Sequence, residues 1–454
     1  MTTKCRIVKV LAVPVAGAYE PREREVAEAV SVGLVLKDGQ VAWGDCVATA
    51  NRGRPGRYPL FRAEQGLATV RRAIAPLLEG QEITHFRELD ARVDALQESV
   101  EVLRPSLPSQ PAPDLGGKVM SRRALLAAAA RRLVPYEEGE GASQGQDEAP
   151  MERLTVTRQL HPAVRYGVSQ ALLKAVALAR GVTMAEVVAA EWGLPRPDAP
   201  PPIHAQTGRE RRLEVDKMIA RRVASLPNAR VEQSPEGLGE DGDQLIPYVR
   251  WLVARIGQLG DESYRPTLHL DVQGALGRLV ENNLGRVLGE LRAVEMAAGD
   301  YPLRVEDALI MGDREAQVEA LKMLRGYLRF HKMRTQLVAG AWADKPEDIQ
   351  AFVDAQAADV IRIQTPDLGG ISQAVEAVLA CKAGGVGALL GGGGAETDLS
   401  ARVAVHVGLA TRPDVLVAMP GAGVDEALML VGNEMARALA RIDLPESPAT
   451  RRVC

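Results

Sequence analysis

From residue 200 onward, short apolar runs recur between longer stretches whose apolar positions return at helical spacing. The runs are PPIHAQT (201–207), VASLPNA (223–229), PTLHLDV (266–272), PLRVEDA (302–308), TQLVAGA (335–341), DVIRIQT (359–365), GALLGG (387–392) and DVLVAMPG (414–421). Each has strand length, and the intervening segments have helix length. Such a series predicts an α/β fold, a (β/α)8 barrel of the TIM type, whose chemistry sits at the C-terminal ends of the strands. A helical stripe of Val168, Ala171, Leu172, Ala175 and Val176 precedes the first run.

The front of the chain has a different texture. Residues 5–13, 29–36 and 41–46 alternate like strands, with KDGQ (37–40) as the hairpin turn between the last two. Helical patterns follow over 63–78 and 86–103. This predicts an N-terminal α+β capping domain over 1–160 and a modified barrel with a C-terminal helix over 161–454. Within the cap, 104–152 breaks the pattern. Prolines crowd 105–113, a short helix with Ser121 as N-cap runs to 133, and EEGEGASQGQDEA (137–149) is too polar to bury a core. An exposed insertion is expected there.

Composition narrows the classes. The chain is 46% apolar and 25% charged with a net charge of −4, which is globular and gives nucleic acid no basic surface. No run of 18 apolar residues is present, so no membrane span is expected. The N-terminus, MTTKCRIVKVLAV, has no cleavage-site pattern. Cys5, Cys46, Cys381 and Cys454 lie far apart without CxxC spacing, which points away from zinc or a disulfide framework and toward a reduced, cytoplasmic protein.

At the strand ends, period two puts Arg362 and Gln364 on one face. The other strand-end residues are His204, Gln206, Asn228, Asp271, Glu306 and Asp307, then Gly340 and Ala341 after the fifth run, Glu396 after the glycine run and Met419 on the last. Asp271 and Glu306, on adjacent strands, suit a hard cation such as Mg2+ or serve as salt-bridge partners of Arg362; spacing leaves both open. Asp307 follows Glu306 and should face outward unless the strand bulges. Asp344, in the loop after the fifth run, could swing in. The run Gly391–Gly394 lacks the order of a phosphate loop and reads as a tight turn closely approached by a ligand. His85, His331 and His406 read as surface or structural, while His204 is held open as a site residue.

The stretches LKDGQVAWGDC, LHPAVRYGVSQALLKAVALARGVTMAEVV, VDKMI, HLDVQG, TPDLGG, CKAGG and PGAGVDEALMLVGNEM together resemble the methylaspartate ammonia-lyase family of the enolase superfamily. The resemblance spans nearly the whole chain outside 104–152. It implies an enolase-like fold, a homodimer, and a reaction in which a lysine on the sixth barrel strand and a histidine on the second move protons beside a Mg2+-bound carboxylate. The Mg2+ is held by carboxylates on strands three, four and five.

Carried over residue by residue, the pattern is broken. The first two metal ligands fall on Asp271 and Glu306, the third on Gly340. The lysine falls on Gln364, the histidine on Asn228, a substrate-binding glutamine on Arg362, and a substrate-binding Thr-Cys pair on Gly393 and Gly394. A second substrate-binding glutamine is kept as Gln206. The capping segment GAYEPREREVAEA is shorter than the family's. Gln364 has no titratable group and Arg362 stays protonated.

The expectation is therefore a divergent member with a weakened Mg2+ site. It would bind a small amino acid or carboxylate through Gln206, Arg362, Gln364, His204, Asn228, Gly393 and Gly394, by changed lyase-type chemistry, with His204 or an incoming group moving protons. The alternative is a non-catalytic binding or scaffolding subunit. Arg362 either neutralises Asp271 and Glu306 in place of the cation or takes a substrate carboxylate beside it.

Overall fold

The eight apolar runs close on themselves. The computed structural model describes residues 5–20, 25–49, 60–105, 151–207, 212, 214–228 and 244–444. Among these, β6 (Ile203–His204), β7 (Ser225–Asn228), β8 (Thr267–Asp271), β9 (Leu303–Glu306), β10 (Gln336–Ala339), β11 (Val360–Gln364), β12 (Gly387–Gly391) and β13 (Val415–Val417) form a closed barrel in chain order, β13 pairing with β6. Every pairing is parallel, as crossover helices between successive strands require.

Side-chain alternation sorts the strands into two faces. Val338, Val360, Leu389, Val415 and Val417 make a buried apolar cluster of their own. Ile361, Ile363, Leu390 and Leu416 belong instead to the main core, the side facing the helices. Arg362, Gln364 and Gly391 share parity with the smaller cluster, which places them above an apolar barrel floor, toward the C-terminal mouth.

In front of the barrel, β1 (Ile7–Glu20), β2 (Glu25–Leu36) and β3 (Val41–Cys46) form an antiparallel sheet. Gly39, at φ +86°, supplies the left-handed residue of the β2–β3 turn. β3 lies against the helix Pro162–Arg180, which is buried along most of its length. The contact is tight: a Cβ at Gly167 would sit 2.5 Å from both the backbone nitrogen and Sγ of Cys46. Gln170 on that helix completes the edge of β3, accepting from the Asp45 N–H (3.2 Å) and donating to the Asp45 carbonyl (2.9 Å). Asp45 Oδ2 in turn accepts from the Thr397 hydroxyl (2.6 Å), and Thr397 caps the helix Asp398–Thr411 that follows β12. A continuous set of contacts thus pins the N-terminal sheet to the loop at the mouth of the seventh barrel strand.

Residues 97–159 form a second compact unit. Its described part is the antiparallel pair β4 (Gln97–Pro105) and β5 (Met151–Gln159), with Gln97 opposite Gln159 and Pro105 opposite Met151. The helix expected over 86–103 stops at Asp94, and the remainder is strand. Val100 and Val102 are β-branched and alternate with Ser99 and Glu101, a pattern that favours a strand once a partner is available. The expected helix at 121–133 and the acidic stretch at 137–149 lie outside the described residues. No helix among the described residues is long and apolar enough to cross a membrane.

Candidate active site

Asp271 ends β8 and Glu306 ends β9, and the two are opposite one another in the ladder. Asp307 joins them. A carboxylate oxygen from each of the three lies within 4.8 Å of the others, and all three residues are buried. This corrects the outward orientation that alternation assigns to Asp307. Its φ is +52°, in the left-handed region that Asp tolerates better than most residues, and the reversal re-aims the side chain. The backbone holds that conformation from both sides. The Asp307 N–H donates to the Val338 carbonyl (3.0 Å), and its carbonyl accepts from the Gly274 N–H (2.6 Å). Its Oδ1 accepts from the N–H groups of Gly340 and Ala341, each at 2.8 Å. Asp344 is buried but is not part of the group.

Arg362 reaches this cluster from β11. Its Nη1 is 3.9 Å from Glu306 Oε2, and its Nη2 donates to the Gly392 carbonyl (3.2 Å). The same Glu306 oxygen bonds His269 Nε2 at 2.8 Å, with both side chains fully buried. His269 has the parity of Asp271 on β8, so the HLD triplet carried the signal for it. Three clustered carboxylate oxygens are a donor set that suits a hard divalent cation.

His204 and Asn228 meet, but in a way that occupies both. His204 Nδ1 contacts the Ser225 hydroxyl (2.9 Å) and Nε2 contacts Asn228 Oδ1 (3.1 Å). These partners fit a neutral imidazole protonated on Nε2. Burial, then the neighbouring His269 and Arg362, hold its pKa well below the usual imidazole range. The His269 ring stacks obliquely at 4.6 Å. His204 is thus a satisfied interior histidine with no ring nitrogen left over for proton transfer. Asn228, like Asp307, is turned inward by a left-handed backbone, at φ +64°.

Gln364 is buried at the end of β11, where the chain turns into the short helix Thr365–Leu368. Gln206 is half-buried just beyond β6, Gly393 is buried and Gly394 exposed. The glycine run is closely approached by the protein itself: a Cβ at Gly392 would fall inside the Glu396 carboxyl. Glu396 is buried, and burial raises its pKa to about 8 despite Arg362 and hydrogen bonds from Ser400 and Tyr166. Its Oε1 has no hydrogen-bond partner. The Tyr166 hydroxyl also accepts from Thr365 Oγ1 (3.1 Å), and burial followed by Glu396 keeps the phenol protonated.

Two family models match in tandem. Methylaspartate ammonia-lyase N-terminus covers 11–108 and 119–193, and methylaspartate ammonia-lyase C-terminus covers 196–443. The chain belongs to the methylaspartate ammonia-lyase family. Methylaspartate ammonia-lyase 2 of Carboxydothermus hydrogenoformans is 39% identical over 92% of this chain and 88% of its own. The β-methylaspartase of Clostridium tetanomorphum, solved as a Mg complex, superposes with a TM-score of 0.78 at 33% identity, covering 96% of this chain and 99% of that one. Muconate lactonizing enzyme from Pseudomonas fluorescens, at 14% identity and a TM-score of 0.58 over 91% of this chain and 88% of that one, shares the fold alone.

Gln364 and Asn228, singled out by the resemblance, are both buried. No barrel strand carries a lysine. The Gly340 N–H, just after β10, donates to Asp307 Oδ1.

Proposed function

We propose that the barrel mouth binds a small carboxylate or amino acid beside a divalent cation, Mg2+, and that this chain does not eliminate ammonia from 3-methylaspartate. The observation that carries the reading is Gln364. It stands buried at the end of β11, where the family's base falls, and an amide cannot accept and release a proton at neutral pH. Asn228 is equally inert, and His204 behind it is neutral with both nitrogens engaged. Each general acid or base typically contributes about 10²–10⁴-fold, so losing both leaves elimination negligible.

What remains suits binding. Asp271, Glu306 and Asp307 are the residues that would hold Mg2+, whose chemistry when bound is to stabilise negative charge on a ligand carboxylate. Arg362, mid-way along β11, offers a planar fork that matches a carboxylate. A second reading makes Arg362 the internal counter-ion of a metal-free cluster, and its 3.9 Å approach to Glu306 favours that. The convergence of three carboxylate oxygens within 4.8 Å of one another favours the cation.

A thermal-shift screen of amino acids and dicarboxylates, with and without Mg2+, tests the proposal. Stabilisation by a subset of ligands, larger with Mg2+, is the expected result. No response to any ligand defeats the binding reading, and ammonia release from 3-methylaspartate defeats the rest.

A further inference from the structure

We propose that Asp307 is the third metal ligand of this barrel, supplying from β9 the carboxylate that the family supplies from β10. The inference rests on the reading that Mg2+ binds at the mouth, and deepens it.

The two positions are spatial neighbours. β9 and β10 pair with Glu306 opposite Val338, so the residue after β9 lies beside the chain leaving β10. Gly340 has no side chain of its own to put into the mouth. Its N–H and that of Ala341 both donate to Asp307 Oδ1 at 2.8 Å. The carboxylate of Asp307 is therefore anchored on the backbone of the very position that lost one. A carboxylate has about four lone-pair directions, so two N–H bonds orient it without exhausting its capacity to accept.

Three further facts point inward to a cation. A carboxylate oxygen of Asp307 is within 4.8 Å of one from Asp271 and one from Glu306. All three residues are buried, where bulk water cannot compete for their oxygens. The relative solved as a Mg complex has the same barrel over nearly its whole length. Asp307 also adopts a left-handed backbone, a conformation retained only when its surroundings impose it and one that concentrates at functional sites. Its N–H and carbonyl bonds to β10 and the β8 loop impose it here.

A role confined to holding the loop after β10 is the competing account, and the choice of variant separates the two. Asp307→Asn keeps Oδ1 as an acceptor for Gly340 and Ala341 but removes the charge. The probe is Mn2+, followed by its electron paramagnetic resonance signal in titrations of the full chain, with thermal unfolding of each variant in parallel. The native chain should bind Mn2+, and D307N should weaken that binding by more than about 10- to 100-fold, the range for losing a group that only supports a ligand. D307N/G340D, which returns a carboxylate to β10, should recover most of the affinity, and Asp344→Asn should change nothing. Native-like affinity in D307N overturns the proposal, whatever its melting temperature. A double variant as weak as D307N overturns the claim that the two positions serve one place. If the native chain binds no Mn2+, the Mg2+ reading beneath it fails as well, which is a different result from either of these.

Discussion

Glu396 is a buried acid beside an arginine, with one oxygen lacking a hydrogen-bond partner. Burial raises its pKa from 4.5 to about 8. Between those values the folded chain keeps a proton that the unfolded chain loses. The stability linked to this group is full below about pH 4.5 and is lost as the pH rises toward 8, each pH step of one costing about 1.4 kcal/mol at most. Urea unfolding of the native chain and of Glu396→Gln at pH 5 and pH 8 checks it. The variant should show the smaller decline. His204 acts at the other end. Its pKa is depressed, so as the pH falls below about 6.5 the unfolded imidazole takes a proton that the folded one refuses, and stability falls. Replacing His204 by Asn should flatten that acid limb, measured by thermal unfolding from pH 7 to pH 5.

How much of the site is legible in the chain depends on backbone parity. Arg362 follows from strand alternation and Asp271 and Glu306 from their places at adjacent strand ends, and the structure brings these three together. The same rule gives His269, two residues before Asp271, although its place short of the strand end drew no attention to it. Asp307 and Asn228 escape the rule because each has a positive φ, and the sign of φ is not written in a pattern of apolar and polar positions. The residue types are the available hint, since Asp and Asn enter the left-handed region more readily than other non-glycine residues. Glu396 carries no signal beyond its place after four glycines.

At the scale of elements, the barrel is legible because each of its strands is a short apolar run bounded by turn residues, and the structure closes all eight. The segment 86–103 is not, because its strand half is specified by pairing with β5, more than forty residues away in sequence. A tight element contact is β3 on the helix Pro162–Arg180, where Gly167 meets Cys46. Gly167→Ala should cost about 1–3 kcal/mol, as overpacking of a close interior contact does, because backbone rather than a flexible side chain is in the way. A drop in the urea midpoint with an unchanged slope is the expected signature. No drop would mean that β3 can move away from the helix freely, and that the tie from Asp45 to Thr397 does not fix the sheet over the mouth.

Over the whole molecule, a fold shared with the methylaspartate ammonia-lyases carries a buried carboxylate cluster at the barrel mouth, and on the proposed reading that mouth lacks a base. Such a protein should leave untouched the carbon–hydrogen bond that the family breaks. Proton NMR of 3-methylaspartate in D2O with Mg2+ and the full chain measures this directly, because washout of the hydrogen at carbon 3 reports abstraction even when no ammonia is released. The signal should decay no faster than in buffer with Mg2+ alone; protein-dependent loss of it would contradict the account.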